Sequence, residues 1–186
     1  MRLFLAIELP MEVREFLAEL TKFQLPMEGI NVVQKENFHI TLKFLGEVEE
    51  KVIPHLINVL RVVAGEFSNF KIKTTHPGVF PDRVKPRVIW IGTENSDTLK
   101  LLAKRIDEEL SCLGFQREER EFKPHITLAR VKNQRNGKYF FEKISKKFSD
   151  HPRYFEFQVK EFALMKSTLT PKGSIYSVLE MFPLLK

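Results

Sequence analysis

The chain states one four-residue phrase twice. His39-Ile40-Thr41-Leu42 and His125-Ile126-Thr127-Leu128 begin 86 residues apart (125 − 39) in a chain of 186. Each phrase lies where β-branched and apolar residues alternate with polar ones, the pattern of a β-strand. Residues two apart on a strand share a face. His39 therefore projects with Thr41, and His125 with Thr127, while Ile40, Leu42, Ile126 and Leu128 turn to the other side. A basic group beside a hydroxyl, presented twice, suits a site that holds a phosphate between two proton-transfer groups.

The stretches around the two phrases repeat a common order. Residues 2–9 read as a buried strand, and a helix follows from Pro10 with Val13, Phe16, Leu17 and Leu20 on its apolar stripe. A short strand near residues 30–33 leads to the first motif strand, 39–45. A second helix opens near Glu49-Glu50 and buries Leu56, Ile57, Leu60 and Ala64, with Pro54 tolerable only in its first turn. Strands at 70–75 and 87–92 flank a loop holding Pro77, Gly78, Pro81 and Pro86. Ser96 is the expected N-cap of a third helix and Gly114 its stop. The second motif strand, 125–132, precedes a helix near 138–148. A strand at 154–165, broken in the middle, a turn at 168–173 and a last strand at 175–182 finish the chain.

This order predicts an α+β fold with two largely antiparallel sheets and outer helices around a central cleft. The whole chain, 1–186, reads as a single catalytic domain made of two interlocking pseudo-symmetric lobes. The strand at 87–92 closes the first half and opens the second, and the two motif strands face each other across the cleft.

Composition narrows the function classes. Seventeen Phe and one Trp supply a large core, and the single Cys112 excludes an intramolecular disulfide and reads as a small buried hydrophobe. The first eight residues become charged too early for a signal peptide, and no apolar run approaches membrane-spanning length. A soluble cytoplasmic protein without a membrane partner is expected, acting as a monomer. There is no Gly-rich phosphate loop, metal-ligand spacing or Gly-x-Ser-x-Gly elbow. Residues 117–153 hold 11 Lys and Arg against 5 Asp and Glu, which accounts for the whole formal charge of +6. That basic segment contains the second phrase and favours an anionic partner such as a phosphate backbone.

Histidine changes charge near neutrality, so a pair can hold one protonated and one neutral ring. With a phosphodiester between them, one ring takes a proton from the attacking water or hydroxyl and the other gives one to the leaving oxygen. Thr41 and Thr127 can donate to the non-bridging oxygens. No metal or cofactor is required. The residues alone do not say which histidine is the acid.

The stretches 38–48 (Phe-His-Ile-Thr-Leu-Lys-Phe-Leu-Gly-Glu-Val) and 123–131 (Lys-Pro-His-Ile-Thr-Leu-Ala-Arg-Val) resemble the two signatures of the two-histidine phosphoesterases. Within that group they are most similar to the RNA 2′,3′-cyclic phosphodiesterase family, also called 2′-5′ RNA ligase. The opening Arg2-Leu3-Phe4-Leu5-Ala6-Ile7 and the segments 78–81 and 86–92 extend the likeness over nearly the whole chain. The resemblance implies a bilobal fold and metal-independent hydrolysis of RNA 2′,3′-cyclic phosphate termini to 2′-phosphomonoesters, with 2′-5′ ligation as the related joining reaction. It also implies His39 as proton donor and His125 as proton acceptor, with Thr41 and Thr127 holding the phosphate. Two alternatives stand beside it: a phosphoesterase for small cyclic-phosphate nucleotides, and a non-catalytic RNA-binding module.

Other side chains are weaker candidates. Lys43 shares the face of His39 and Thr41 by parity and could reach the phosphate. Arg130 matches an arginine that trails the second family signature, although strict alternation places it opposite His125 unless the strand bulges. Phe44 and Trp90 read as core residues, with base stacking as the other use. His55, His76 and His151 read as structural or exposed.

Overall fold

The computed structural model describes residues 1–186. The architecture is α+β, with four α-helices and one large antiparallel sheet. In chain order the elements are β1 (Arg2–Glu8), α1 (Met11–Leu20), β2 (Ile30–Val32), β3 (His39–Glu47), α2 (Ile53–Ala64), β4 (Phe70–Phe80) and β5 (Val88–Thr93). Then come α3 (Asp97–Ser111), β6 (His125–Val131), α4 (Gln134–Asp150), β7 (Glu156–Val159), β8 (Glu161–Thr170) and β9 (Gly173–Pro183).

The strand order is β7-β4-β5-β6-β3-β1-β8-β9, with β2 also against β6. The motif strands β6 and β3 thus lie side by side at the centre, and the two expected sheets run together there. Their joint is a single antiparallel pair, Ile40 across from Ile126. Beyond it, β2 takes over the edge of β6 from Ala129 to Val131. The meeting satisfies strand edges that would otherwise stand unpaired.

All four helices contribute to one apolar core on one face of the sheet. Ile40, Leu42, Ile126 and Leu128 join Leu3, Leu5, Ile7, Ile89 and Ile91 there, with Val13 and Leu17 of α1, Leu60 of α2, Ile106 of α3 and Ile144 of α4. His39, Thr41, His125 and Thr127 alternate with these residues and are half-buried on the opposite face. Ser96 caps α3 by accepting from the Leu99 amide, and Gly114, at φ +90°, follows its end.

Each motif strand bulges at the same letter. In β3 the partners of Ala6 and Leu5 are Thr41 and Lys43, so Leu42 is an extra residue. In β6 the partners of Trp90 and Ile89 are Thr127 and Ala129, so Leu128 is extra. An inserted residue reverses the parity of everything after it. Lys43 and Ala129 consequently turn into the core, and Phe44 and Arg130 emerge on the face of the histidines.

This overturns the parity placement of Lys43. Its side chain is 5% exposed and its Nζ donates to Asp107 Oδ1 on α3 at 2.6 Å and to the Gln116 carbonyl at 2.8 Å. Burial pushes the Asp107 carboxyl up, but hydrogen bonds from Lys43 and the Glu118 amide, with the Lys43 charge and Arg117, hold it below the usual range.

Other local departures have equally local causes. The strand expected to stop at Thr75 continues through Pro77 and Gly78, because the β4–β5 register shifts between Thr74 and Pro77 and spares a donor that proline lacks. Helix α4 starts four residues early, capped by Asn133, with Gly137 pressed against Val131, where a Cβ would stand 2.3 Å from Cγ1. Cys112, expected inside, is exposed at the end of α3.

Removing one partner of a buried ion pair leaves the other charge stranded, at a cost of about 3–5 kcal/mol. Asp107→Ala is therefore expected to lose that much stability in chemical denaturation. Lys43→Met strands the Asp107 carboxylate in the same way and is expected to cost a comparable amount. The double variant Lys43→Met/Asp107→Leu, which replaces both charges by apolar side chains, is expected to lose much less.

Candidate active site

The site is built on the helix-free face around the Ile40–Ile126 joint. On either side of that single antiparallel pair, His39 lies toward the Thr127 end of β6 and Thr41 toward its His125 end. Two short strand segments thus place two imidazoles and two hydroxyls in one patch.

Both imidazoles are oriented the same way. His39 Nδ1 is 2.6 Å from the Asn37 carbonyl and His125 Nδ1 is 2.7 Å from the Lys123 carbonyl, each two residues upstream. A carbonyl only accepts, so Nδ1 carries the proton in each neutral ring and Nε2 is left for chemistry. His39 Nε2 lies 2.9 Å from Thr41 Oγ1, which donates to it when the ring is neutral. His125 Nε2 makes no hydrogen bond within the chain. Asn37 is itself fixed, donating through Nδ2 to the Ser174 carbonyl at 2.8 Å.

Each ring also has an aromatic wall. Phe4 and Tyr176 stand 5.0 and 5.4 Å from His39, and Phe80 and Trp90 stand 5.0 and 6.4 Å from His125. These walls remove water, and burial is the main reason both imidazoles are harder to protonate than usual. His39 is pushed down to about 4, with the charges of Arg130, His125 and Arg14 adding to burial against the Asn37 hydrogen bond. Burial also lowers His125, again against its backbone hydrogen bond and with Arg130 adding.

Of the expected site residues, His39, His125, Thr41, Thr127 and Arg130 share this face, and Lys43 does not. Phe44, expected in the core, is 64% exposed on the site face beside Phe4. Trp90 is half-buried on the same face, its ring lying over Gly78, where a Cβ would come within 2.1 Å. His55, His76 and His151 are exposed. Phe4, Phe80 and Tyr176 were not singled out from the sequence. Phe4 could have been found by alternation along β1, whereas Tyr176 arrives through a pairing of distant strands that leaves no local trace.

The basic segment does not form one surface. Lys143 and Lys147 lie over Phe23, Lys147 also donates to the Glu19 and Lys22 carbonyls, and Arg153 covers Phe155. Arg130 carries that segment's charge on the site face of β6. No group of three or more His, Cys, Asp or Glu side chains is arranged to hold a metal ion, and no helix is long and apolar enough to cross a membrane.

Comparison with known proteins bears on this arrangement. The profile of the 2′-5′ RNA ligase superfamily matches residues 9–170. A protein of Methanocaldococcus jannaschii named RNA 2′,3′-cyclic phosphodiesterase is 44% identical over 182 residues, covering 97% of this chain and 99% of its own. The crystal structure of TT0787 of Thermus thermophilus superposes with a TM-score of 0.79 at 32% identity, covering 99% of this chain and 98% of that one. LigT of E. coli complexed with 3′-AMP superposes with a TM-score of 0.72 at 26% identity, over 100% and 98% of the two chains. Match lengths and identities of this order leave one conclusion: the chain belongs to the 2′-5′ RNA ligase superfamily.

Proposed function

We propose that this protein hydrolyses RNA 2′,3′-cyclic phosphate ends to 2′-phosphomonoesters, with the paired histidines as acid and base. The observation that carries the reading is the side-by-side pairing of the motif strands. It brings two Nδ1-anchored imidazoles and two threonine hydroxyls to one face. Relatives named RNA 2′,3′-cyclic phosphodiesterase and a LigT complex with a 3′-nucleotide support the substrate class.

In this scheme water attacks phosphorus while His125 Nε2 takes its proton. The bond from phosphorus to O3′ breaks, and His39 Nε2–H delivers a proton to that oxygen, leaving the phosphate on O2′. Thr41, Thr127 and Arg130 donate to the non-bridging oxygens as charge gathers there. The same geometry joins RNA ends when a 5′-hydroxyl replaces the water, giving a 2′-5′ linkage. The order of the two histidines follows the family resemblance.

The protein by itself disfavours a proton on either ring, so the substrate has to help supply the active form. An anionic phosphodiester between the rings raises both pKa values. The two rings titrate as a coupled pair, and the productive form is the singly protonated state with the proton on His39.

We also read residues 1–186 as one catalytic domain of two interlocked lobes, β7-β4-β5-β6 and β3-β1-β8-β9. In support, α1 follows β1 of the second set yet packs on α4, which contacts β4 and β6 of the first; α3 follows β5 yet packs on β3. A cytoplasmic monomer completes the proposal, and size-exclusion chromatography with light scattering checks the monomer.

Three outcomes are expected. A short RNA with a cyclic end is opened in EDTA to a 2′-phosphate, which end-group analysis distinguishes from the 3′ isomer. His39→Ala and His125→Ala each lower kcat/KM by roughly 10²- to 10⁴-fold with an unchanged far-UV spectrum; normal turnover in both would sink the mechanism. Both free-enzyme pKa values lie below the ordinary 6.5 of an imidazole, so kcat/KM is expected to fall about tenfold per pH unit above that point. The kcat optimum, which reports the anion-bound site, lies at higher pH. An alkaline limb of kcat/KM centred above about 6.5 would contradict this.

A further inference from the structure

Arg14 is a half-buried cation beside the site that donates no hydrogen bond within the chain. It lies on α1, which packs against the short turn Lys35–Asn37 that leads directly into His39. Its side chain is only 17% exposed, and its Nε is buried with no partner. The ion contact it makes is with Glu8 Oε1 at 3.7 Å, too long for a hydrogen bond. Glu8 is the strand partner of His39, and by the alternation of Phe4, Ala6 and Glu8 it stands on the face of the histidines. The guanidinium is close enough for its charge to be felt by His39.

A guanidinium offers five donors and is seldom buried unless they are used. Here Arg14 and Arg130 both press on His39, an arrangement that is unfavourable until an anion arrives. The two non-bridging oxygens of the reacting phosphate already have Thr41, Thr127 and Arg130 as donors. A further half-buried cation at the same end of the site fits a second phosphate. In an RNA end, the next phosphate is the one on the 5′ side of the terminal ribose; a free nucleoside cyclic phosphate lacks it.

We infer that Arg14 binds the phosphate 5′ to the terminal ribose and so selects RNA ends over nucleoside 2′,3′-cyclic monophosphates. This rests on the cyclic-phosphodiesterase reading above. Arg14 is here a specificity residue, outside the proton transfers themselves.

The test compares a dinucleotide ending in a 2′,3′-cyclic phosphate with the matching nucleoside 2′,3′-cyclic monophosphate. Because any change at His39 affects both substrates, the ratio of their kcat/KM values isolates the second phosphate. Arg14→Gln is expected to lower that ratio by about ten- to a hundredfold, the worth of a charge-assisted hydrogen bond. It is also expected to reduce the salt slope for the dinucleotide by about one. Arg14→Lys, which keeps the charge, should retain most of the ratio and guards against a misfolded variant. A ratio unchanged in Arg14→Gln, whether both substrates slow together or neither does, overturns the inference. A wild-type enzyme that opens neither substrate overturns the underlying reading as well.

Discussion

A single backbone pair, Ile40 across from Ile126, holds the two motif strands edge to edge, and the site follows from strand parity on either side of it. The isoleucines face the core, so the residues flanking them must face away. Packing on one face therefore delivers chemistry on the other. The helices crowd the core side and anchor Ile40, Leu42, Ile126 and Leu128, while the opposite face stays free for a ligand.

The electrostatics follow from how the rings are held. Carbonyls of Asn37 and Lys123 orient Nδ1, and aromatic walls of Phe4, Tyr176, Phe80 and Trp90 exclude water. Orientation by a carbonyl favours the charged ring, but burial outweighs it, and Arg130 adds repulsion. The result is a pair of imidazoles kept neutral by the protein in the absence of an anion. The same positive potential of Arg130 that repels a proton from the rings favours an anionic phosphodiester between them, and that anion in turn favours the charged ring.

Much of this was legible in the repeated phrase. Parity placed His39 with Thr41 and His125 with Thr127, since the bulges come after them. The two pairs meet, however, because β3 and β6 lie side by side in one sheet rather than face to face across a cleft. Lys43 was misplaced because it stands one residue beyond an insertion that no local composition announces. Comparing the copies would have helped: Ala129 occupies in β6 the position of Lys43 in β3, and a small apolar residue there suits a core-facing site. Arg130 was recoverable by the same comparison, as an arginine in the core would have been costly. Phe44 looked like core because aromatic residues usually are, and only the bulge turns it outward. The Asp107 partner of Lys43 lies 64 residues away, beyond what periodicity can register.

The matched bulges also give the cleft a direction. They bring Phe44 and Arg130 to equivalent places on their strands, an exposed ring on one and a guanidinium on the other. A frame with like residues at both places would present the same surroundings to a ligand and to its end-for-end reversal. Unlike residues remove that degeneracy, so the two orientations differ in energy although the strands beneath them match. Two identical tetrapeptides can then carry different duties, because each looks onto a different neighbour.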